Sequence, residues 1–386
     1  MITIANDESV MTNPTRILVL GVGGAGGNAV KRMVNYGIKG IEFYALNTDM
    51  QVLSQLPVPN KFMLGKETTK GRGTGAKPEI GEKAALECRE EIENILRGAD
   101  MVFITAGMGK GTGTGASPII AEIAKSLNIL VVAVVTTPFN FEGETKKIIA
   151  EKGIEKLVRN VDTLITISNQ NLLKICERNT PIAEAFRISD DILRQAVQGV
   201  SDIITRCGEV NVDFNDIRTI MENKGPALMG LGVGRGENRG IQAVESAINS
   251  PLLDSFSIKK AKGIVLNITG GEDLSLYEVD EIASLIKQEA SPDAMIIFGY
   301  VRDEKMKDEV SVTVLATGFE LEDSKELEKK KKEKSVIKIY VADDNLNTPT
   351  FQRKRSNTYI QPSISNQLYD EDIDIPTFLR KEKKEL

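Results

Sequence analysis

The feature that most constrains the fold of this chain is a run of glycines at alternate positions, from Gly107 to Gly115. The apolar run 101–106 before it has the pattern of a buried strand, and apolar side chains recur at helical spacing from Ile119 onward. Glycines leave backbone N–H groups free to converge on an anion, and a helix start adds partial positive charge. The run therefore predicts a phosphate-binding loop, in which the hydroxyls of Thr112 and Thr114 are further donors.

A flexible glycine loop that binds no ligand is the alternative interpretation of this run. The run does not match the Walker A pattern, because Lys110 is followed by Gly111 and not by serine or threonine. Pro118 comes shortly after the glycines, and we place it in the first turn of the next helix, where proline is tolerated.

A second glycine loop, Gly21–Asn28, follows the apolar strand 16–20 and opens a helix. Its glycines satisfy the G-x-G-x-x-G pattern of dinucleotide-binding folds, and Asp49 lies near the distance expected for a ribose-binding acid. An NAD(P)-dependent oxidoreductase of Rossmann type is therefore the alternative function. Two glycine loops on one sheet fit the triphosphate of a mononucleotide better, and the chain has no histidine for hydride chemistry.

The composition excludes several classes of protein. The absence of histidine removes Ser-His-Asp hydrolysis, Cys-His chemistry and almost every zinc site, and we predict no metal site made of protein side chains. A net charge of -6 argues against a nucleic-acid binder. The three cysteines are far apart and indicate reduced thiols. No run of about 18 apolar residues is present, so we predict no transmembrane segment, and residues 1–14 form a polar leader without a signal-peptide core.

Strands and helices alternate over residues 15–180, which predicts a parallel, doubly wound sheet of Rossmann-like α/β class. After the strand 130–135, Glu142 is a candidate for a ribose hydroxyl and Lys146 for a phosphate, although both are also compatible with surface charges. The basic segment Gly65–Pro78 fits equally a loop that closes over phosphates and a solvated loop.

The second half of the chain changes pattern. An amphipathic helix over 181–208 leads to a smaller α+β domain over 209–320, with strands at 263–268, 295–300 and 310–317. Residues 321–370 are rich in charged and polar residues and predict a disordered linker. Apolar residues return within 372–380, and residues 371–386 are predicted to be a peptide that binds a partner.

Three motifs resemble the tubulin/FtsZ family of GTPases. Residues 109–115 resemble its G-G-G-T-G-T-G signature and depart from it only at Lys110. Residues 211–216 resemble the family's synergy loop, and 374–380 resemble its partner-binding tail. The resemblance covers residues 12–320 and the final peptide, and it implies a GTPase domain, a connecting helix and a smaller C-terminal domain.

The resemblance also implies a site for GTP or GDP with Mg²⁺. Glu142 would meet the ribose, and Asn169, Phe186 and Asp190 the guanine. From the residues alone, Phe186 and Asp190 fit a core aromatic and a helix cap as well. Lys146 stands where the family typically has an arginine, so the charge is kept and the bidentate fork is lost. The implied GTP-binding residues are Gly24, Ala25, Gly26, Gly27, Asn28, Gly111, Thr112, Gly113, Glu142, Lys146, Asn169, Phe186 and Asp190.

The implied catalytic residues are Asn211, Asp213 and Asp216. The two acids have the i,i+3 spacing of a helix start, so a helix cap with its acid is the alternative. By resemblance, they dock on the nucleotide of the next subunit, so that head-to-tail filaments activate hydrolysis. A filament protein that binds GTP without turnover is a third hypothesis. The resemblance further implies a cytoplasmic division ring at mid-cell, and an FtsA-like membrane anchor and other division proteins as partners of the tail.

Overall fold

The computed structural model describes residues 15–177, 179–205, 212–253, 258–303 and 306–319. Ten strands of this part of the chain form one sheet in the order β3-β2-β1-β4-β5-β6-β7-β10-β8-β9. The strands are β1 (Ile17–Val22), β2 (Ile41–Asn47), β3 (Asn60–Met63), β4 (Met101–Gly107), β5 (Leu130–Thr137), β6 (Thr163–Ser168), β7 (Gly225–Arg235), β8 (Gly263–Gly270), β9 (Met295–Arg302) and β10 (Glu309–Thr317).

Twelve α-helices lie in the described residues. They are α1 (Gly23–Tyr36), α2 (Met50–Gln55), α3 (Lys66–Thr69), α4 (Pro78–Glu87), α5 (Arg89–Leu96), α6 (Thr112–Ser126), α7 (Glu144–Val158), α8 (Asn169–Leu172), α9 (Ile182–Thr205), α10 (Phe214–Met221), α11 (Arg239–Ile248) and α12 (Leu276–Glu289). None of these helices is long and apolar enough to cross a membrane.

The strands from β3 to β7 pair in parallel, which confirms the predicted doubly wound α/β class. The central strands are apolar on both faces because helices cover both sides of the sheet. On one face Val19 and Phe103 pack with α1 and α9, and on the other Leu20 and Ile104 pack with α4, α5 and α6. The carboxyl ends of β1, β4, β5 and β6 therefore share one edge of the sheet.

β7 joins the two halves of the sheet. Its first three residues pair in parallel with β6, and the rest pairs antiparallel with β10. Gly230, Gly232 and Gly234 recur at every second position, and a Cβ on each would overlap a backbone carbonyl of α11. We did not predict this strand, because alternate glycines suggest a loop, whereas here they let a helix pack closely on the sheet.

Two local predictions are wrong. Pro118 does not lie in a first helical turn, because α6 begins at Thr112 and Pro118 is inside the helix. The last residues of the glycine run are themselves helical: a Cβ on Gly113 would lie 2.8 Å from the Gly107 carbonyl oxygen, and one on Gly115 would overlap that of Pro78. The charged pattern of residues 79–97 predicts one surface helix, but the structure has two helices there, α4 and α5, which meet at Cys88.

Candidate functional site

A cavity of about 490 Å³ opens at the carboxyl ends of the parallel strands. The first turns of α1 and α6 both form its wall, so the backbone N–H groups and the positive ends of two helix dipoles face the same space. Phosphate groups are the natural ligands for such a pair of helix starts. The structure brings the two predicted glycine loops together in the wall of one cavity.

The loop that opens α1 divides into residues that line the cavity and residues that pack behind it. Gly24, Ala25 and Asn28 line the cavity. Gly26 and Gly27 do not: a Cβ on Gly26 would overlap the Thr105 carbonyl oxygen, and one on Gly27 would lie 2.8 Å from Leu56 Cδ1. Gly26 packs α1 against the sheet and Gly27 packs it against Leu56, whereas the sequence analysis assigned both glycines to GTP binding.

The glycine run at the start of α6 contributes Lys110, Gly111, Thr112 and Gly113 to the cavity wall. Thr112 Oγ1 lies 2.7 Å from Thr48 Oγ1, which ties the run to the end of β2. Thr114 is buried, and its Oγ1 accepts a hydrogen bond from the backbone N–H of Gly109 at 3.0 Å. Thr114 is absent from the cavity wall, so the structure does not bring it to the ligand as predicted, and its hydroxyl closes the turn of the run.

The basic segment 65–78 reaches the cavity through residues 72–76. The N–H of Gly73 donates to the Thr48 carbonyl at 3.0 Å, and Asp49 and Arg72 form an isolated antiparallel bridge. These backbone bonds hold the segment against the cavity wall, and a role in closing over phosphates stays a prediction. Asp49 also caps α2 through its side chain, which accepts from the N–H groups of Gln51 and Val52.

Glu142, which lies just before α7, is held by two bonds. Its Oε1 accepts from the N–H of Phe139 at 3.1 Å, and its Oε2 pairs with Lys146 Nζ at 3.1 Å. Glu142 lines the cavity, whereas Lys146 is not part of the cavity wall. Lys146, which was predicted to bind a phosphate, thus forms an ion pair with Glu142, which was predicted to bind the ribose.

Asn169, Phe186 and Asp190 also line the cavity. Ser189 Oγ donates to Asn169 Oδ1 at 2.7 Å, which joins the end of β6 to α9. The Phe186 ring packs edge-on against Phe139, with 5.4 Å between ring centroids. An aromatic face, an amide and a carboxylate suit a purine that carries both donors and acceptors.

The Asp190 carboxylate pairs with Arg32 Nε at 3.4 Å. Burial nevertheless raises the pKa of Asp190 to about 6, because desolvation outweighs the attraction of Arg32. The sequence analysis missed Arg32 and Ser189. Neither belongs to a motif, and only the packing of α1 against α9 brings Arg32 to the site.

The two predicted catalytic acids lie elsewhere. Asp213 caps α10 by accepting from the N–H of Asn215 at 3.0 Å, and both Asp213 and Asp216 are exposed. The far end of α10 is bonded to β6 at its first residue, since Thr163 Oγ1 donates to the Met221 carbonyl. Asn169 follows the last residue of β6, so α10 and the cavity lie at opposite edges of the sheet. Asn211 is outside the described residues.

The described residues contain no group of three side chains that would hold a metal ion. A Mg²⁺ ion commonly takes most of its ligands from phosphates and water, so the cavity is compatible with a metal that arrives with the nucleotide.

Family models match two parts of the chain. The GTPase domain of the Tubulin/FtsZ family matches residues 16–177, and the C-terminal domain of the FtsZ family matches residues 225–320. Together they span most of the described residues and include the whole cavity wall up to β6.

Solved structures agree with the family models. An empty FtsZ dimer from M. jannaschii is 42% identical, with a TM-score of 0.77, and the match covers 81% of this chain and 90% of that one. A point mutant of M. jannaschii FtsZ has the same identity and TM-score, with 79% of this chain and 92% of that one covered. A GDP-bound CetZ1 monomer from Haloferax volcanii, at 22% identity and a TM-score of 0.69 over 83% of this chain and 99% of that one, shares the fold.

The oxidoreductase alternative has no support in these matches. The signature run, the two-helix cavity and both domain matches lead to one assignment: the chain belongs to the Tubulin/FtsZ family and carries its GTPase domain.

Proposed function

We propose that this protein binds GTP in the cavity and hydrolyses it to GDP and phosphate only when copies assemble head to tail. The observation that carries the proposal is the separation of the cavity from Asp213 and Asp216, which lie at opposite edges of the sheet. The family's GTPase domain supports the choice of nucleotide.

The cavity fits GTP at both ends. The Asp190 carboxylate accepts from the N1–H and N2–H₂ donors of guanine, Phe186 gives it an aromatic face, and Asn169 offers an amide. Glu142 lies where a ribose hydroxyl would donate. The starts of α1 and α6 face the phosphates, and Gly24 leaves open space for them, because a Cβ there would meet no atom within 4 Å. When bound, Mg²⁺ would neutralise phosphate charge, held by the nucleotide rather than by a cluster of side chains.

Strand β6 runs from the anchored end of α10 to the cavity. Its six residues span roughly 20 Å at about 3.3 Å per residue, and α10 is bonded at one end while Asn169 follows the other. A group that orients the attacking water must lie within hydrogen-bond reach of it. We infer that the acids of one copy do not reach its own nucleotide, and that a second copy brings its Asp213 and Asp216 to the cavity mouth.

Such a contact joins two different faces of the same protein. Heterologous contacts that do not close generate open filaments, so this chemistry implies a polymer. The dimer formed by the 42% identical FtsZ of M. jannaschii supports self-association. Asn211 belongs to the same proposed catalytic segment, in the predicted second domain 209–320, which follows the predicted GTP-binding domain 15–180 and connecting helix 181–208.

Mixing two inactive variants tests this division of labour. Asp213→Ala keeps the cavity and loses an acid, and Gly24→Val keeps the acids and fills the cavity. Each alone should lose about 10²-fold or more in turnover, the usual effect of removing a catalytic group. An equimolar mixture should regain part of the activity, because the acids of one variant complete the site of the other. Glu90→Ala, an exposed acid on α5, is the control and should hydrolyse GTP like the parent.

Two outcomes would contradict the proposal. One is an Asp213→Ala protein with the parent's rate, and the other is a parent rate per molecule that does not rise with protein concentration. A GTP-binding filament without turnover would show sedimentation with GTP and no phosphate release at any concentration.

We further propose that the filaments form a cytoplasmic ring at the mid-cell division site. Residues 371–386 would bind an FtsA-like membrane anchor and other division proteins, with 321–370 as the tether; both segments lie outside the described residues. Removing 371–386 should leave GTP hydrolysis and sedimentation unchanged and abolish recruitment to the anchor. If the shortened protein no longer sedimented, or if it were still recruited to the anchor, the proposed role of the tail would be contradicted.

A further inference from the structure

Lys110 is the one position at which the signature run departs from the family pattern, and it lies in the wall of the nucleotide cavity. Its side chain is exposed, and within the described part of the chain it makes no ion pair or hydrogen bond. A lysine ammonium carries three N–H donors, and an exposed one beside two helix starts adds a full positive charge to their partial charges.

The glycines on either side hold the backbone of Lys110 in place. Gly109 has φ of 96°, and a Cβ there would lie 2.7 Å from the Lys146 carbonyl oxygen. Gly111 packs so closely on Thr74 that a Cβ would overlap the Thr74 hydroxyl. Residue 110 is therefore fixed between the start of α7 and the 72–76 segment, while its side chain is free to reach into the cavity.

The other cations near the cavity are less suited to a phosphate. Lys146 is outside the cavity wall, and its charge is balanced by Glu142 at 3.1 Å. Arg32 pairs with Asp190 at the base end. Arg72 also lines the cavity, on the 72–76 segment that packs against Gly111.

We propose that the Lys110 ammonium binds the terminal phosphate of GTP and takes the place that the sequence assigned to Lys146. The proposal rests on the proposed function and adds to it a residue that distinguishes GTP from GDP. Because the terminal phosphate is absent from GDP, the contact should favour GTP selectively. By neutralising charge on the group that is transferred, it should also favour hydrolysis within the filament.

The test compares nucleotide affinities at protein concentrations below the assembly threshold. Affinities for GDP and for the slowly hydrolysed analogue GTPγS are measured by fluorescence titration for the parent, Lys110→Gln, Lys110→Arg and Lys146→Gln. Lys110→Gln should lower the preference for GTPγS over GDP by about tenfold, the usual effect of losing one charged hydrogen bond. Lys110→Arg should keep the preference, and Lys146→Gln should change both affinities alike.

Lys147→Gln, whose lysine pairs on the surface with Glu144, is the matched control and should behave as the parent. Thermal unfolding of each variant establishes that the fold is intact. An unchanged preference in Lys110→Gln overturns the proposal while leaving the proposed function in place, because the parent still binds GTP. An unchanged preference together with a higher assembly threshold also overturns the proposal, because it would place Lys110 in the contact between subunits. A parent that binds neither nucleotide would instead refute the proposed function.

Discussion

Arg32 on α1 and Asp190 on α9 form an ion pair, 3.4 Å from Nε to Oδ2, across the base end of the cavity. The pair leaves the carboxyl group with a pKa raised to about 6, because burial outweighs the effect of the arginine. A residue proposed to recognise guanine thus changes charge close to physiological pH.

The first prediction follows from that carboxyl group. Only the ionised form accepts from both guanine donors, so affinity for GTP should fall by about tenfold between pH 7 and pH 5. Fluorescence titration with GDP at several pH values measures the effect without hydrolysis. Asp190→Asn should bind more weakly at pH 7 and show a nearly flat profile. A parent profile that is equally flat would remove Asp190 from base recognition.

The second prediction concerns stability without nucleotide. The pKa of Asp190 is raised in the folded state, so its favourable contribution is complete below about pH 3.8 and is lost as pH rises through about 6. The loss is at most about 3 kcal/mol for a shift of this size. Urea unfolding between pH 4 and pH 7 should show Asp190→Asn gaining on the parent as pH rises. A constant difference across this range would mean that Asp190 does not titrate with folding.

The third prediction concerns the phosphate end. A Cβ on Gly24 would meet no atom within 4 Å, so Gly24→Val should fold like the parent and fill the space that the phosphates need. GTP and GDP affinity should both fall by at least about 10²-fold, because a branched side chain blocks the approach of backbone N–H groups to the anion. Thermal unfolding checks the fold, and titration checks binding. Normal binding would place the phosphates elsewhere.

The fourth prediction concerns the edge of the sheet at which the parallel strands begin. Asp162 is buried, pairs with Lys125 at the end of α6, and accepts from the N–H groups of Val131 and Asn223 at 2.9 and 3.1 Å. Asp162→Ala leaves these donors without an acceptor and should lower the free energy of unfolding by about 3 kcal/mol.

The exposed pair of Arg159 and Glu155 provides the control for this prediction. Glu155→Ala should lower the free energy of unfolding by less than about 1 kcal/mol, as is usual for surface ion pairs. Equal effects of the two substitutions in urea unfolding would show that the buried group of Asp162 does not stabilise this edge.

The sequence was sufficient for the central strands and both glycine loops, since these depend on local patterns. Apolar runs such as 101–106 and 130–135 are buried on both faces, and alternation with helices leaves few topologies. It was insufficient for β3, whose four residues include Asn60 and Lys61, and for β7, whose glycines are required by α11. Those strands depend on neighbours that no local pattern reveals.

The site was predictable to a similar degree. Gly24, Asn28, Thr112, Glu142 and Asn169 line the cavity as predicted from motif and resemblance. The partners of these residues were not predictable, because the pairing of Glu142 with Lys146, and of Asn169 with Ser189, depends on how α7 and α9 pack beside the sheet. Sequence patterns identify which loops meet a ligand, and tertiary packing determines which charges remain free to bind it.

The way β7 is shared has a consequence for dividing the protein into fragments. Three residue pairs join β7 to β6 and eight join it to β10, so a polypeptide that starts at Gly225 keeps its own sheet almost complete. The remaining polypeptide, which also contains α10, has β6 as a free strand edge and carries α9, whose Gly199 carbonyl accepts from Asn267 Nδ2 of β8 at 3.1 Å. Two such fragments have a preformed docking surface for each other. A split reporter that is cut before Gly225 should therefore regain its fold on mixing, and its signal would report on the meeting of two halves inside a living cell.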